Sequence, residues 1–156
     1  MTETAGTRTA GHDSGGTDAG DIPGDTTGDE ERHKRGMDRM RQVLGPHADT
    51  VLGDLADVAP ELGRFIVEFA YGEVHSSPGL DHRQRSLVAI SVLSGIGGCD
   101  PALTLHVHGA LNVGLDPSEI VEAVMQCAVY AGFPRALCAM AVVRRVFEER
   151  GVLPRE

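Results

Sequence analysis

From residue 30 onward, apolar residues recur at helical spacing, and glycine and proline mark the breaks between runs. In EERHKRGMDRMRQVLG, Met37, Met40 and Val43 or Leu44 share one face, and Gly45-Pro46 ends the run. PELGRFIVEFAYGEVHS follows with Pro60 suited to a first helical turn. It places Leu62, Phe65, Ile66, Phe69 and Ala70 at i, i+3, i+4, i+7 and i+8, the stripe by which an amphipathic helix meets a core. SSPGL then reads as a turn.

Asp81 opens the next run with Gln84 as a capping-box partner, and RSLVAISVLSG is apolar or small almost throughout, which predicts a helix buried on most sides. Gly95, Gly97 and Gly98 end it. Asp100-Pro101 reads as an N-cap and first helical residue, opening a helix as far as Gly114. DPSE at 116–119 repeats the device ahead of IVEAVMQCAVYAG, and PRALCAMAVVRRVFEERG turns Val142, Val143, Val146 and Phe147 inward. No alternating β-branched run interrupts the series, so the pattern predicts an all-α bundle of about six helices. The flat apolar face of helix 119–131 suits self-association.

Charge separates the first thirty residues from the rest. They carry seven acidic side chains against Arg8 alone, within a net charge of −9 for the whole chain of 156 residues. Gly, Thr and Ala fill the remainder, and so little apolar surface cannot offset the entropy of ordering, so residues 1–30 read as a disordered acidic tail and 31–156 as one helical domain. The N-terminal residues lack the pattern of a secretory or transit signal, and no run approaches a membrane span. The expected place is the cytoplasm, with no membrane partner. The folded part has no basic stripe, which argues against nucleic acid. Three cysteines, Cys99, Cys127 and Cys138, form an odd set that fits reduced thiols rather than a disulfide framework.

Candidate chemistry gathers in GGCDPALTLHVHGALNVGL, residues 97–115. On a helix His106 and His108 point about 200° apart and cannot chelate one ion, and no Cys/His pair elsewhere completes a zinc set, so no metal is expected. A dithiol pair would need a second cysteine where the chain has Ala102. His106 shares its face with Ala102, Leu103, Gly109 and Ala110, neighbours small enough to leave room for a ligand, and is the better candidate to line a cavity. Glu73, at the C-terminal end of an apolar helix where the dipole disfavours its charge, is a candidate acid or base beside His75. Arg83 and Arg85 open the most apolar helix, where a cation opposes the dipole, so a buried arginine there points to an anionic partner such as Glu73 or a substrate carboxylate, or else to a salt bridge between helices.

FAYGEVHSSPGLDHRQRSLVAISVL and LHVHGALNVGLDPSEIVEAVMQCAVYAGFPRA, with MDRMRQVLG less specifically, resemble the carboxymuconolactone decarboxylase family of the alkylhydroperoxidase-D-like superfamily over roughly residues 36–150. The resemblance implies an all-helical, cofactor-free protein assembled as a homotrimer or homohexamer. It implies a carboxy-lyase acting on a small-molecule carboxylated γ-lactone through a dienolate. Arg85 would bind a carboxylate, His106 donate the proton and Glu73 orient it, with His75, Ser77, Cys99 and Tyr130 lining the substrate. Many decarboxylases of the family carry Trp and Arg where this chain has His75 and Ser77, which opens space and removes a bidentate carboxylate donor. Two other readings remain: a tailoring enzyme using the same enolate chemistry on a polyketide-like intermediate, and a non-catalytic oligomeric partner protein.

Overall fold

The first helix starts earlier than the charge pattern suggests: α1 (Thr26–Leu44) takes in the last five residues of the acidic stretch. The computed structural model describes residues 26–153, so the expected disorder of residues 1–25 lies outside the described residues. After α1 come α2 (His47–Leu55), α3 (Pro60–Phe65), α4 (His82–Ile96), α5 (Asp100–Asn112), α6 (Pro117–Ala131) and α7 (Phe133–Arg150). The described residues are all helix and connections, with no strand. None of these helices is long and apolar enough to cross a membrane.

The seventh helix relative to the sequence expectation is α2, HADTVLGDL. Asp, Thr and Gly are poor helix formers, and only Ala48 is fully buried, so neither propensity nor a stripe announces it. Packing of Val51 and Leu52 against the α1 core holds it in place. At α5, Cys99 is the capping position and Asp100 already lies in the first turn, one residue before the expected boundary.

Two clusters form the interior, and α5 stands between them. Ile90, Val107, Ile120, Val124, Val143 and Phe147 belong to the cluster of α4 to α7, with all four expected residues of α7 buried. Met40, Val43, Leu44, Ala48, Val67 and Tyr71 form the other, against which Leu105 and Val113 of α5 pack. A side chain at Gly109 would sit 3.3 Å from Leu44 and 3.4 Å from Val43, so the glycine lets α1 pass close to α5.

Two stripes read as core-facing are exposed in the single chain. Helix α3 runs on as a π-helical stretch, Ile66–Val74, whose hydrogen bonds reach five residues back. The wider turn changes the buried line to Gly63, Val67, Tyr71 and Gly72, leaving Leu62, Phe65 and Phe69 exposed at 50%, 54% and 66%. Gly36 and Gly72 permit this: a Cβ at Gly36 would lie 2.0 Å from the Val67 carbonyl oxygen, and one at Gly72 would lie 2.9 Å from that of Arg32. On α4 the line Ser86, Ile90 and Ser94 is buried while Val88, Val92 and Ile96 face outward, so this helix is not enclosed on most sides by its own chain. Small serines replace large side chains on its buried line because α5, α6 and α7 all pack there.

Candidate active site

The capping box forms as its residues suggest, with the Gln84 N–H donating to Asp81 at 2.8 Å and the Asp81 N–H to the Gln84 side chain at 3.0 Å. It fixes the start of α4, from which Arg83 and Arg85 diverge. Arg83 donates to both oxygens of Glu119 on α6 at 2.8 and 2.7 Å and to the Gly114 carbonyl, so it is the inter-helix ion pair. Arg85 instead donates to the Ser77 carbonyl at 2.9 Å, the Ser77 hydroxyl at 2.8 Å and the Leu80 carbonyl at 3.1 Å. Its charge meets no carboxylate among the described residues.

His75 follows the π-helical stretch, its N–H donating to the Ala70 carbonyl at 2.8 Å and its ring stacked on Tyr71 with 4.6 Å between centroids. Tyr71 is itself buried, which pushes its hydroxyl up to about 12. Burial brings His75 down to about 4, and the charges of Arg85, His106, His82 and Arg39 push in the same direction. Burial also lowers His106 on α5. His82, lowered by burial and by Arg39, lies 2.5 Å from an Arg39 guanidinium nitrogen. Three imidazoles and two guanidiniums, from α1, the 75–81 turn, α4 and α5, thus act on one another, and no acid opposes them at His75. Among the described residues, Arg39 Nε, His75 Nδ1 and His82 Nδ1 are buried without a hydrogen-bond partner, as are Ser94 Oγ and His108 Nδ1 outside this cluster. Among the described residues, no three His, Cys, Asp or Glu side chains are placed to hold a metal ion.

A titration follows from His75. Its native value lies below the unfolded value near 6.5, so the unfolded chain binds the extra proton first. The stability it contributes is complete above pH 6.5 and is lost as pH falls toward about 4. Denaturant titrations are expected to show this decline in wild type and a shallower one in His75→Gln; equal slopes would remove His75 as its source.

The stretch containing His75, Arg85 and His106 is also the one that matches a known family: the model of the carboxymuconolactone decarboxylase family covers residues 60–145. The chain belongs to this family. It is 39% identical to the 4-carboxymuconolactone decarboxylase of Acinetobacter baylyi over 127 residues, 81% of this chain and 94% of that protein. It is 35% identical to the nitrosuccinic acid decarboxylase of Metarhizium robertsii over 130 residues, 80% of this chain and 90% of the relative.

Of the site residues that the family resemblance suggested, the fold brings His75, Ser77, Arg85 and His106 together. Glu73 is half-exposed and bonded to α1 instead, 3.1 Å from Arg32 and 3.3 Å from Arg35, while Arg35 also donates to the Gly72 carbonyl at 2.8 Å. Cys99 sits at the opposite end of α5 from Asn112, its thiol 3.5 Å from the Leu93 carbonyl, beside Arg135 and Cys138. Tyr130 is 83% exposed near the end of α6. His108, the second histidine of the helix, is buried, its ring tilted 40° against that of His47 with 4.7 Å between centroids, and 3.2 Å from Glu149. Sequence reasoning passed over Arg39, Tyr71 and His82. Arg39 lies outside the stretch matched by the family model and its helix reads as amphipathic surface; the one available signal was His82 falling directly between Asp81 and Arg83 at a helix start.

Proposed function

We propose that the protein is a cofactor-independent carboxy-lyase for a small carboxylic acid whose carbanion can be delocalised, with 4-carboxymuconolactone as the first substrate to test. The convergence of Arg85, His82, Arg39 and His106 on His75, unopposed by any acid, supports this reading above all else. In such a lactone the electron pair of the breaking C–C bond passes through the ring double bond to the carbonyl oxygen, CO2 leaves, and one proton is returned to carbon. A cation held only on the departing carboxylate loses its partner as neutral CO2 forms. Cations therefore contribute to rate where negative charge ends up.

Arg85, fixed by three acceptors in the 77–80 turn, is assigned to the reacting end of the substrate. His106 is assigned to proton return. Its burial keeps the ring neutral near pH 7, and an arriving anion raises its affinity for a proton, so substrate binding itself draws in the proton that the product requires. Glu73, paired with Arg32 and Arg35, anchors the π-helical stretch from which His75 projects, a positioning role. The likeness to a nitrosuccinic acid decarboxylase favours a second reading, in which a nitro group takes the electron pair in place of the lactone.

The working form is proposed to be a homotrimer or homohexamer. Leu62, Phe65 and Phe69 on one side are exposed, and Met125, Val129, Phe133 and Leu137 line an open apolar groove of about 460 Å³ between α6 and α7. Purified protein, its assembly measured by sedimentation, should release CO2 from 4-carboxymuconolactone or nitrosuccinic acid. Folded protein inert toward both would end the carboxy-lyase reading, and a monomer at assay concentration would end the oligomeric one.

A further inference from the structure

Ser77 is exposed in the 75–81 turn, yet both roles of its hydroxyl are fixed by its neighbours. A carbonyl only accepts and a guanidinium only donates, so the hydroxyl proton goes to the Val74 carbonyl at 3.0 Å and the oxygen receives Arg85 Nη2 at 2.8 Å. The same Nη2 donates to the Ser77 carbonyl at 2.9 Å, and Arg85 Nε donates to the Leu80 carbonyl at 3.1 Å. Three acceptors thus stand against the three hydrogens of Nε and Nη2. A guanidinium grips a carboxylate by two parallel N–H groups on adjacent nitrogens, and either pair it can use, Nε with Nη2 or Nη1 with Nη2, includes Nη2. Nη1 alone keeps both hydrogens without a protein acceptor among the described residues.

We propose that Ser77 is a positioning residue whose hydroxyl occupies the fork of Arg85, so that the arginine meets the substrate through Nη1 at a single oxygen and does not clamp the departing carboxylate. This rests on the carboxy-lyase reading and states which charge the site is built to hold. A fork closed on the carboxylate stabilises the bound acid and loses its partner as neutral CO2 forms, so it lowers the ground state and adds to the barrier. A single nitrogen on the oxygen that gains the electron pair acts where charge grows. The device belongs to the turn. Through Val74, the last residue of the π-helical stretch, the Ser77 hydroxyl ties Arg85 to the same backbone that carries His75.

The probe is 2-furoate, an inert ring carboxylate, with 2-furamide as its uncharged counterpart, both measured by calorimetry on the full-length protein. Ser77→Ala frees an Nη2 hydrogen and is expected to bind 2-furoate about fivefold more tightly than wild type, the scale of one added charge-assisted hydrogen bond, with 2-furamide unchanged. The conservative Ser77→Thr restores the hydroxyl and with it the wild-type ratio of the two affinities. With an acid that turns over, Ser77→Ala should lower kcat and KM together by a similar factor, the sign of a ground state bound more tightly. Three results would overturn the assignment: Ser77→Ala binding 2-furoate no better than wild type, Ser77→Ala raising KM as a merely loosened turn would, or Ser77→Thr behaving as Ser77→Ala. A gain in 2-furoate affinity in Ser77→Ala, with neither 4-carboxymuconolactone nor nitrosuccinic acid turned over by wild type, would end the carboxy-lyase reading and leave Ser77 in its role.

Discussion

Arg85→Ala is expected to lower kcat/KM by about a thousandfold, roughly 4 kcal/mol of transition-state stabilisation, which is the scale of removing one preorganised charge donor from a reacting site. Its three hydrogen bonds to Ser77 and Leu80 hold the fork still, so little reorganisation accompanies the growth of charge on the substrate. Arg85→Lys separates charge from geometry. Lysine keeps the cation but cannot reproduce the fixed fork, and should recover only a small part of the loss. His106→Ala should act differently, lowering kcat by about 10²- to 10⁴-fold through the lost proton transfer, with a smaller change in KM. Steady-state CO2 release, with thermal melts to verify folding, checks both. An Arg85→Ala enzyme within fivefold of wild type would remove this arginine from the reacting end.

Gly36→Ala should be the most damaging single methyl in the fold. The added Cβ would lie 2.0 Å from the Val67 carbonyl oxygen and 2.8 Å from its carbonyl carbon. The obstacle is backbone belonging to the neighbouring helix, so no rotamer relieves it, and α1 must move away from the π-helical stretch. Overpacking of this kind costs up to about 3 kcal/mol or more, against about 1 kcal/mol gained from the better helix propensity of alanine. A fall in Tm of about 4–8 °C follows for a net loss near 2 kcal/mol in a domain of this size. Gly53→Ala is the control. It lies in α2 with nothing within 4 Å of its added Cβ, and should be neutral or slightly stabilising. Equal melting temperatures for the two variants would show that the close approach of α1 is not needed. Since Val67 belongs to the stretch that ends at His75, Gly36→Ala should also reduce activity before it abolishes helicity, which circular dichroism beside a kinetic assay would reveal.

Part of the candidate site was legible locally: a pair of arginines at the start of α4, where the helix dipole opposes a cation, and His106, an imidazole among small neighbours, are features a sequence pattern can pick out. Arg39 was not legible, because a guanidinium on an amphipathic helix reads as solvated surface until another element covers it. Nor could the dipole argument separate the two arginines of α4, of which only the family resemblance picked Arg85. They are two positions apart and equivalent in local terms, and only the position of Glu119 on α6 makes Arg83 an ion pair while Arg85 turns to Ser77 and Leu80. For Glu73 the helix-end dipole was a real signal, but Arg32 and Arg35 of α1 supply the compensating charge.

The sequence by itself determined the all-helical class, most of the helix boundaries and the inward face of α7, because these follow from period, caps and breakers within a few residues of one another. Tertiary structure decided which apolar stripes are buried, since the π-helical turn carries Val67 and Tyr71 inward and Phe65 and Phe69 outward in a segment whose composition fits either outcome. It also decided which charged groups lie close enough to act on one another. Coulomb energy and desolvation depend on distances between α1, α4 and α5, and no spacing along the chain contains them.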